Sequence, residues 1–441
     1  MDLGGDNQYK INVTTNGNLK ANDTLITSTR SYREFGFTVY GHMTLLRTTV
    51  METYNGVRIL TDNTILLKDS RFLLSYGTGI YLESADGTTL NNVSIQTNEL
   101  SVSASFSAES QDSSDYQQTK VFSASGGALY VKDGNPSLKD VYVSANGTVY
   151  ITAYLDKYGY YYMYMYLHVY VPIVGIDSAD MSTVSGVHVR DSDIRIDVTY
   201  RCTDHWTYRY AYWYLYTYGY ATAVNVLNYG DVELKGCTVT NAKVSRVSAR
   251  AYASSTGSAM YHSTYTYTYL RGMTLFGATV DKEFTTGGPH TFSVTIKDAF
   301  FEDVGVLTTS FAPSYNGTTD PVFFSYVNIE NVSVEKGNYP FNFAIGPQIS
   351  SMKTVTSVIK ITDAKYTNMT GPLWSSSVSA GPGVNPNRRT FEVHDTIRVE
   401  NCEFIGGNVG YNGLIYEPYD RKNEFNNEYD RHIEVVDTSI R

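Results

Sequence analysis

A six-residue pattern of apolar and polar positions recurs along most of the chain. It consists of an aliphatic residue, any residue, then Asp, Asn or Gly, then a small or β-branched residue, any residue, and an apolar residue. Such a recurrence predicts a repetitive architecture in which each copy has the same place in the fold. The copies are Leu67–Phe72, Leu90–Ile95, Leu138–Val143, Val184–Val189, Leu234–Val239, Leu275–Val280, Ile296–Phe301, Ile329–Val334, Ile361–Tyr366, Val399–Phe404 and Val435–Ile440.

The third position of this hexad predicts a bend in the backbone. Asp, Asn and Gly tolerate a positive φ better than other residues do. The flanking apolar residues then point inward from two short strands that meet at the bend, and stacking one bend on the next builds a solenoid. The predicted corner residues are Asp69, Asn92, Asp140, Gly186, Gly236, Gly277, Asp298, Asn331, Asp363, Asn401 and Asp437.

Successive hexads begin between 21 and 50 residues apart. One rung of a parallel β-solenoid has three short strands and three turns, which at ~5 residues per strand needs roughly 20 residues. The shortest intervals therefore fit one rung. The longer intervals fit either a rung with an outward loop or two rungs with one unrecognised corner. No long helical periodicity occurs, so the sequence predicts an all-β chain.

The hexads resemble those of right-handed parallel β-helix proteins of the pectin-lyase-like type, which carry a corner asparagine in the same setting. The resemblance covers residues 60–441 and implies a right-handed parallel β-solenoid over that range. Residues 1–59 are predicted to form N-terminal strands, as irregular first rungs or as an assembly segment. Enzymes with this fold commonly cleave polysaccharides, so the resemblance also calls for a search for catalytic residues.

Tyrosine is concentrated in tracts that alternate with other residues. The chain has 40 tyrosines, and the tracts cover residues 160–170, 208–220 and 261–269. A period of two predicts strands, and the tracts keep step with the hexads. They are therefore predicted to be neighbouring, unusually long strands of one sheet. On the strand face opposite the tyrosines, the residues of the first tract are apolar and those of the second are mixed. This face of the second tract is therefore expected to be only partly covered.

This predicted tyrosine face has three interpretations. The rings pack against one another or under a covering segment, they form a platform for carbohydrate, or they contact another protein chain. The candidate contacting residues are Tyr160, Tyr162, Tyr164, Tyr166, Tyr210, Tyr212, Tyr214, Tyr216, Tyr265, Tyr267 and Tyr269.

A search for catalytic chemistry finds no established motif. Hydrolysis of a glycosidic bond needs two carboxylates across that bond, and a lyase needs a base and carboxylates on calcium. We interpret the nearest clusters as solvated or structural, and predict no catalytic residue, metal site or cofactor. A catalytic site assembled from residues of different rungs is compatible with the sequence, because neighbours on the sheet are one coil apart. The clusters are Asp191, Asp193 and Asp197 on one predicted strand face, His205 beside Asp204, and His394 beside Asp395.

The composition of the chain argues against some classes of binding partner. The net charge of −10 argues against a nucleic-acid partner. The sequence contains no apolar run of 18 residues, so no membrane span is predicted. The three cysteines, Cys202, Cys237 and Cys402, cannot form a disulfide framework and are predicted to be buried. The first residues lack the basic and apolar regions of a signal peptide, which fits a removed signal, a fragment or a cytosolic protein.

Asn-X-Ser/Thr sequons are no more frequent than chance predicts, and two of them coincide with corners. The remaining glycosylation candidates include Asn12, Asn146, Asn316 and Asn368. A composition rich in Ser, Thr and Tyr and poor in Lys favours an extracellular or cell-surface location. We therefore expect a non-enzymatic structural protein, glycosylated and assembling end to end with its own copies into a fibre or coat. The alternative is a polysaccharide-binding or polysaccharide-cleaving β-helix, such as a lyase, hydrolase or tailspike-like adhesin.

Overall fold

The structure is a computed structural model, and every regular element that it describes is a β-strand. The predicted all-β class is therefore confirmed. The described residues are 11–27, 35–53, 55–74, 76–100, 102–110, 117–123, 126–158, 162–178, 181, 183–205, 210–226, 231–256, 261–277, 283–284, 289–304, 308–311, 314–315, 322–337, 341–345, 348–349, 354–370, 374–378, 392–408, 415–416 and 428–441.

Two large sheets carry most of the strands. Sheet 1 contains β2 (Asn18–Asn22), β3 (Leu25–Thr27), β5 (His42–Leu46), β6 (Thr49–Met51), β8 (Ile65–Lys68), β9 (Arg71–Leu74), β11 (Thr88–Thr97), β12 (Val102–Ser110), β15 (Ser137–Lys157), β17 (Thr183–Ser185), β18 (Val187–Asp204), β20 (Asp231–Lys235), β21 (Thr238–Ser255), β24 (Pro289–Val304), β27 (Val322–Gly337), β30 (Thr354–Thr362), β31 (Lys365–Thr370), β33 (Glu392–Glu400), β34 (Glu403–Asn408), β36 (Glu428–Val436) and β37 (Ser439–Ile440).

Sheet 2 contains β1 (Ile11–Val13), β4 (Phe35–Val39), β7 (Asn55–Leu60), β10 (Ile80–Ser84), β13 (Gln117–Ser123), β14 (Leu129–Val131), β16 (Tyr162–Ile176), β19 (Tyr210–Val226) and β22 (Tyr261–Gly277). Two smaller sheets follow later in the chain. Sheet 3 contains β23 (Glu283–Phe284), β26 (Ser314–Tyr315) and β29 (Gln348–Ile349), and sheet 4 contains β25 (Thr308–Phe311), β28 (Phe341–Ile345), β32 (Trp374–Val378) and β35 (Ile415–Tyr416).

Strands of the same sheet pair in parallel with their equivalents one repeat later in the chain. Leu67 lies opposite Leu90, and Leu90 lies opposite Leu138. Successive hexads are thus neighbours in sheet 1, although the first pair starts 23 residues apart and the second 48. The second interval also contains β12 and β13, which pair with β15 and β16 beside β11 and β14. The interpretation of this long interval as two rungs is therefore wrong.

Side chains from the inner faces of both large sheets form one core. Leu67 and Phe72 of sheet 1 and Phe37 and Ile59 of sheet 2 are all fully buried. The hexad explains the sheet 1 contribution, because its apolar positions alternate with outward residues on either side of the bend. Burying apolar surface at about 25 cal/mol per Å² is the main force that holds the two sheets together.

The predicted corners have the left-handed backbone that the hexad requires. Asp69, Asn92, Asp140, Gly186, Gly236, Asp298, Asn331, Asp363, Asn401 and Asp437 have φ between 46° and 60°. Side chains of adjacent corners also bond to each other: Asn92 Nδ2 donates to Asp69 Oδ1 at 2.8 Å, and Asn331 Nδ2 donates to Asp298 Oδ1 at 2.8 Å. An aspartate in one repeat and an asparagine in the next thus both tolerate the positive φ of the bend, and their side chains form a hydrogen bond with each other.

Gly277 is the predicted corner that lies elsewhere. It is the last residue of β22 in sheet 2, opposite Asn225. Sheet 1 passes directly from β20 to β24, where Leu234 lies opposite Ile296. The hexad at 275–280 therefore is not a member of the corner column, and Gly277 instead continues the long strand that starts in the third tyrosine tract.

The described strands before position 60 belong to the two large sheets. Strand β5 pairs with β8, and β4 pairs with β7. Asp23 and Arg47 have φ of 50° and 47° and precede Asp69 in the corner column. Arg47 does not fit the hexad, which is why the sequence pattern begins only at residue 67. The split after residue 59 thus coincides with no change of sheet.

Replacing Asp140 by valine should lower the free energy of unfolding by about 1–2 kcal/mol. The φ of Asp140 is 53°, and a β-branched residue is strained in this region. Denaturant unfolding monitored by circular dichroism checks this. Asp140→Gly is the matched control, since it keeps the backbone freedom and loses only the side chain. Equal stability of the valine variant and the wild type would contradict a backbone role for the corner.

Candidate functional site: a stacked tyrosine surface

The three tyrosine tracts lie on adjacent parallel strands, as the sequence predicted. Tyr164 of β16 is opposite Tyr214 of β19, and Tyr214 is opposite Tyr265 of β22. The same register brings Tyr166, Tyr216 and Tyr267 into a second column. The predicted neighbourhood of the tracts is confirmed, and it follows from the parallel pairing of equivalent residues in successive repeats.

The aromatic rings of these strands stack face to face in columns that run across the sheet. Ring centroids are 4.7 Å apart for Tyr164 and Tyr214 and 5.0 Å for Tyr214 and Tyr265, with both interplanar angles 12°. This distance matches the spacing between strands, so neighbouring rings share one orientation. We call this set the tyrosine face: Tyr162, Tyr164, Tyr166, His168, Tyr170, Tyr210, Tyr212, Tyr214, Tyr216, Tyr218, Tyr220, Tyr261, Tyr265, Tyr267 and Tyr269.

Much of the tyrosine face is open to solvent. Tyr210, Tyr261, Tyr265, Tyr267 and Tyr269 expose between 38% and 53% of their surface. The rings of β16 and the remaining rings of β19 are half-buried, chiefly by their neighbours on the face. The rings thus pack against one another without being covered by the described residues. Tyr160, another residue predicted for this face, lies outside the described residues.

Three phenols of this face, those of Tyr170, Tyr214 and Tyr216, have a raised pKa. Burial raises the pKa of Tyr214 and of Tyr216, and the phenols stacked on them raise each pKa further. Burial also raises the pKa of Tyr170, together with a hydrogen bond to Tyr220. Two adjacent phenolates would repel each other, so Tyr170, Tyr214 and Tyr216 stay uncharged at neutral pH.

The residues that alternate with the tyrosines on β16 and β19 are buried, so the tyrosines face outward. Met163 and Met165 of β16 and Trp213 and Leu215 of β19 are fully buried. The expectation that the second tract would be only partly covered on this side is wrong for β19. The hydroxyl of its polar Thr217 lies 2.7 Å from the hydroxyl of Tyr200, so the polar group is satisfied inside the core.

Two members of the acidic cluster of β18, Asp197 and Asp191, pair with residues of the next repeat, whereas the carboxylate of Asp193 lies 3.8 Å from Arg195 of its own strand. Asp197 accepts hydrogen bonds from Arg246 Nη2 at 2.8 and 2.9 Å, and its pKa is lowered by its hydrogen bonds to Ser248 and Arg246 although burial opposes this. Asp191 accepts a hydrogen bond from Asn241 Nδ2 at 2.8 Å. Asp191 also has a φ of 47°, so it lies at a bend and does not share a continuous strand face with Asp197.

The histidines pair with carboxylates other than their sequence neighbours. His205 Nε2 lies 2.8 Å from Asp156 Oδ1, and its Nδ1 lies 2.8 Å from Thr256 Oγ1. His394 Nδ1 lies 3.8 Å from Asp430 Oδ2. Parallel register creates these pairs from residues 36 to 51 positions apart, which sequence alone could not identify.

Asp204, the sequence neighbour of His205, points into the core instead. Its Oδ2 lies 3.7 Å from Lys157 Nζ, and both side chains are almost completely buried. Lys157 Nζ also lies 5.0 Å from the centroid of the Trp213 ring. Burial lowers the pKa of Lys157, whereas Asp204 raises it. This buried ion pair gave no signal in the sequence, because its partners are 47 residues apart.

The predicted glycosylation sites and the cysteines lie in different environments. Asn12 and Asn368 are exposed, whereas Asn146 is half-buried and its Oδ1 accepts a hydrogen bond from the Asp193 backbone amide at 2.9 Å. Asn316 lies outside the described residues. The three cysteines are buried and free, and burial raises the pKa of the Cys237 thiol to about 11, which keeps it protonated at neutral pH.

Among the described residues, no cluster of three or more His, Cys, Asp or Glu side chains has an arrangement suited to a metal ion. No helix in the described part of the chain is long and apolar enough to cross a membrane.

Comparison with known proteins gave no relative. No protein-family model, no curated protein and no solved structure matches this chain. Any functional conclusion therefore rests on the sequence and on the geometry of the described residues.

Proposed function

We propose that the chain is a right-handed parallel β-solenoid that serves as an extracellular or cell-surface structural protein and assembles end to end with its own copies. Its role is to build or project from a fibre or coat. The observation that supports this proposal is a row of exposed apolar side chains on β36 and β37. Ile433, Val435 and Ile440 expose 42%, 52% and 66% of their surface.

The same positions are buried one repeat earlier. Ile397 and Val399 lie opposite Ile433 and Val435 in the pairing of β33 with β36, and they expose 0% and 1%. In the described part of the chain, β33 and β34 have a paired strand on each side, whereas β36 and β37 have one on a single side. Uncovered strand edges also present unpaired N–H and C=O groups, which favour the addition of another strand.

Strands β2 and β3 of a second copy match this surface. If the corner column continues from Asp437 to Asp23 of that copy, the established offsets place Val435 opposite Ala21 and Ile440 opposite Ile26. Inward residues then meet apolar residues at each of these positions. Addition in the same register would continue both the core and the parallel pairing across the junction.

Charges on the outer side of this junction are complementary. The same register places Glu434, which accepts a hydrogen bond from Arg398 Nη1 at 2.9 Å, opposite Lys20 of the second copy. Asp437 would meet Asp23, but Arg47 already bonds to both carboxylate oxygens of Asp23 at 2.6 and 2.9 Å and lowers its pKa. The second copy is thus compatible in register, polarity and charge.

Charge reversal at the junction tests this proposal. Glu434→Lys and Lys20→Glu should each weaken association about tenfold, which corresponds to ~1.4 kcal/mol, and the double variant should restore it. Sedimentation velocity over a concentration series, with electron microscopy, measures the assembly. Lys297→Glu is the matched control, because it breaks an equivalent pair with Glu330 inside the stack. A wild-type chain that stays monomeric at high concentration, or a double variant without rescue, refutes end-to-end assembly.

A second candidate function is polysaccharide binding by the tyrosine face. The observation that favours it is the flat array of half-exposed rings on one side of sheet 2, because sugar rings stack their C–H faces on aromatic rings. A glycan array should then show binding that Tyr265→Ala and Tyr267→Ala abolish. Tyr150→Ala and Tyr154→Ala are matched controls, since these equally exposed tyrosines belong to sheet 1. Equal loss in both pairs would reject the platform.

A further inference from the structure

We propose that the tyrosine face is a site of oxidative cross-linking, where a peroxidase-type one-electron oxidant joins neighbouring rings of one column into dityrosine. The inference depends only on the geometry of sheet 2 and stands whether or not the chain assembles end to end. Such a bond would tie successive repeats together covalently.

The geometry of the columns brings phenols within reach of each other. Centroid distances are 4.8 Å for Tyr216 and Tyr267 and 4.8 Å for Tyr218 and Tyr269, with interplanar angles of 13° and 10°. Each ring extends from the sheet on two rotatable bonds, so a small tilt brings the ortho carbons of stacked rings together. Because the pairing is in register, the same contact repeats along the strands.

The exposure of the outer rings gives an oxidant access. Tyr265, Tyr267 and Tyr269 of β22 expose 42%, 39% and 38% of their surface. Among the described strands, β22 is the last strand of sheet 2 and pairs with β19 alone. The third rank of rings is thus at the border of the face, where an oxidising enzyme can approach.

The chemical step balances with hydrogen peroxide as the oxidant. Two phenols each lose one electron and one proton to give two phenoxyl radicals. The radicals form one carbon–carbon bond between their ortho carbons, and the hydrogens of those carbons move to the oxygens and restore both phenols. One hydrogen peroxide takes up the two electrons and two protons and becomes two water molecules, with a peroxidase as the catalyst.

Isolated tyrosines on the other large sheet provide an internal comparison. Tyr150, Tyr154 and Tyr252 are 48%, 44% and 58% exposed. In the neighbouring strands, Tyr150 lies opposite Asp197, and Arg201 separates Tyr154 from Tyr252. These rings are at least as accessible as those of β22 but have no phenol stacked on them in the adjacent strand.

The experiment treats a dilute solution of the chain with a peroxidase and a limiting amount of hydrogen peroxide. Peptide mass spectrometry should find linked peptides, lighter by two hydrogens, that join Tyr214 to Tyr265 and Tyr216 to Tyr267. The oxidised chain should melt at a higher temperature and resist reduction by thiols, because a bond between residues about 50 positions apart restricts the unfolded chain. Blue dityrosine fluorescence reports the yield.

Two triple variants make the test specific. Replacing Tyr265, Tyr267 and Tyr269 by phenylalanine keeps the rings but removes the phenols, and should lower the yield of intramolecular dityrosine at least fivefold. The same change at Tyr150, Tyr154 and Tyr252 should leave the yield unchanged. Circular dichroism confirms that both variants keep the wild-type fold. Oxidation without linked peptides, links only between molecules, or equal losses in the two variants would overturn the proposal.

Discussion

Replacing Asp204 by asparagine is expected to lower the free energy of unfolding by about 3–5 kcal/mol, since it leaves a buried charge on Lys157 without its counter-charge. Lys157 Nζ makes no hydrogen bond to any described residue, so the carboxylate of Asp204 is its main electrostatic partner. Urea unfolding at neutral pH measures the loss. A variant within about 1 kcal/mol of the wild type would contradict the role of this pair.

The pH dependence of that variant gives an independent readout. Burial lowers the pKa of folded Lys157, so between this pKa and the ordinary value of 10.5 the unfolded chain binds more protons. Stability therefore rises with pH in this window. Without Asp204, which raises the pKa of Lys157, the window becomes wider. The Asp204→Asn variant should regain more stability than the wild type between neutral pH and about pH 10.

Two further variants separate the charge from the packing. Lys157→Met combined with Asp204→Leu removes both charges and keeps the volume, and should recover most of the lost stability. Asp197→Asn is the matched control on the same strand. Its partner Arg246 is solvent-exposed, so this change should cost about 1 kcal/mol or less.

Replacing Trp213 by alanine is expected to cost about 3–5 kcal/mol, because it opens a large cavity between the sheets. Trp213 is fully buried and its ring lies beside the Lys157 ammonium group. Thermal and urea unfolding check the effect. Trp213→Phe, which fills part of the cavity, should cost clearly less.

The adjacent residue provides the matched control for this core position. Tyr214 points to the other side of β19 and stacks on Tyr164 and Tyr265. Its replacement by alanine should cost about 1 kcal/mol, the usual contribution of aromatic pairs. If Tyr214→Ala destabilised the protein more than Trp213→Ala, the assignment of the inner and outer faces of β19 would be wrong.

The strand periodicity and the corner residues were predictable from local rules. Alternating tyrosines require a strand whatever surrounds them, and Asp69, Asn92 and Asn401 tolerate a positive φ for reasons internal to the residue. Gly277 shows the limit of such rules. It satisfies the hexad, but the direct pairing of β20 with β24 leaves no place for it in the corner column.

The sequence by itself determined the all-β class, most of the corner column and the neighbourhood of the tyrosine tracts, because these depend on properties that repeat along the chain. Only the tertiary structure decided which polar groups meet. Lys157 contacts Asp204, and His205 contacts Asp156, across intervals of 47 and 49 residues. Such contacts depend on the register between repeats of unequal length, and that register is fixed by packing of the whole core rather than by any local pattern.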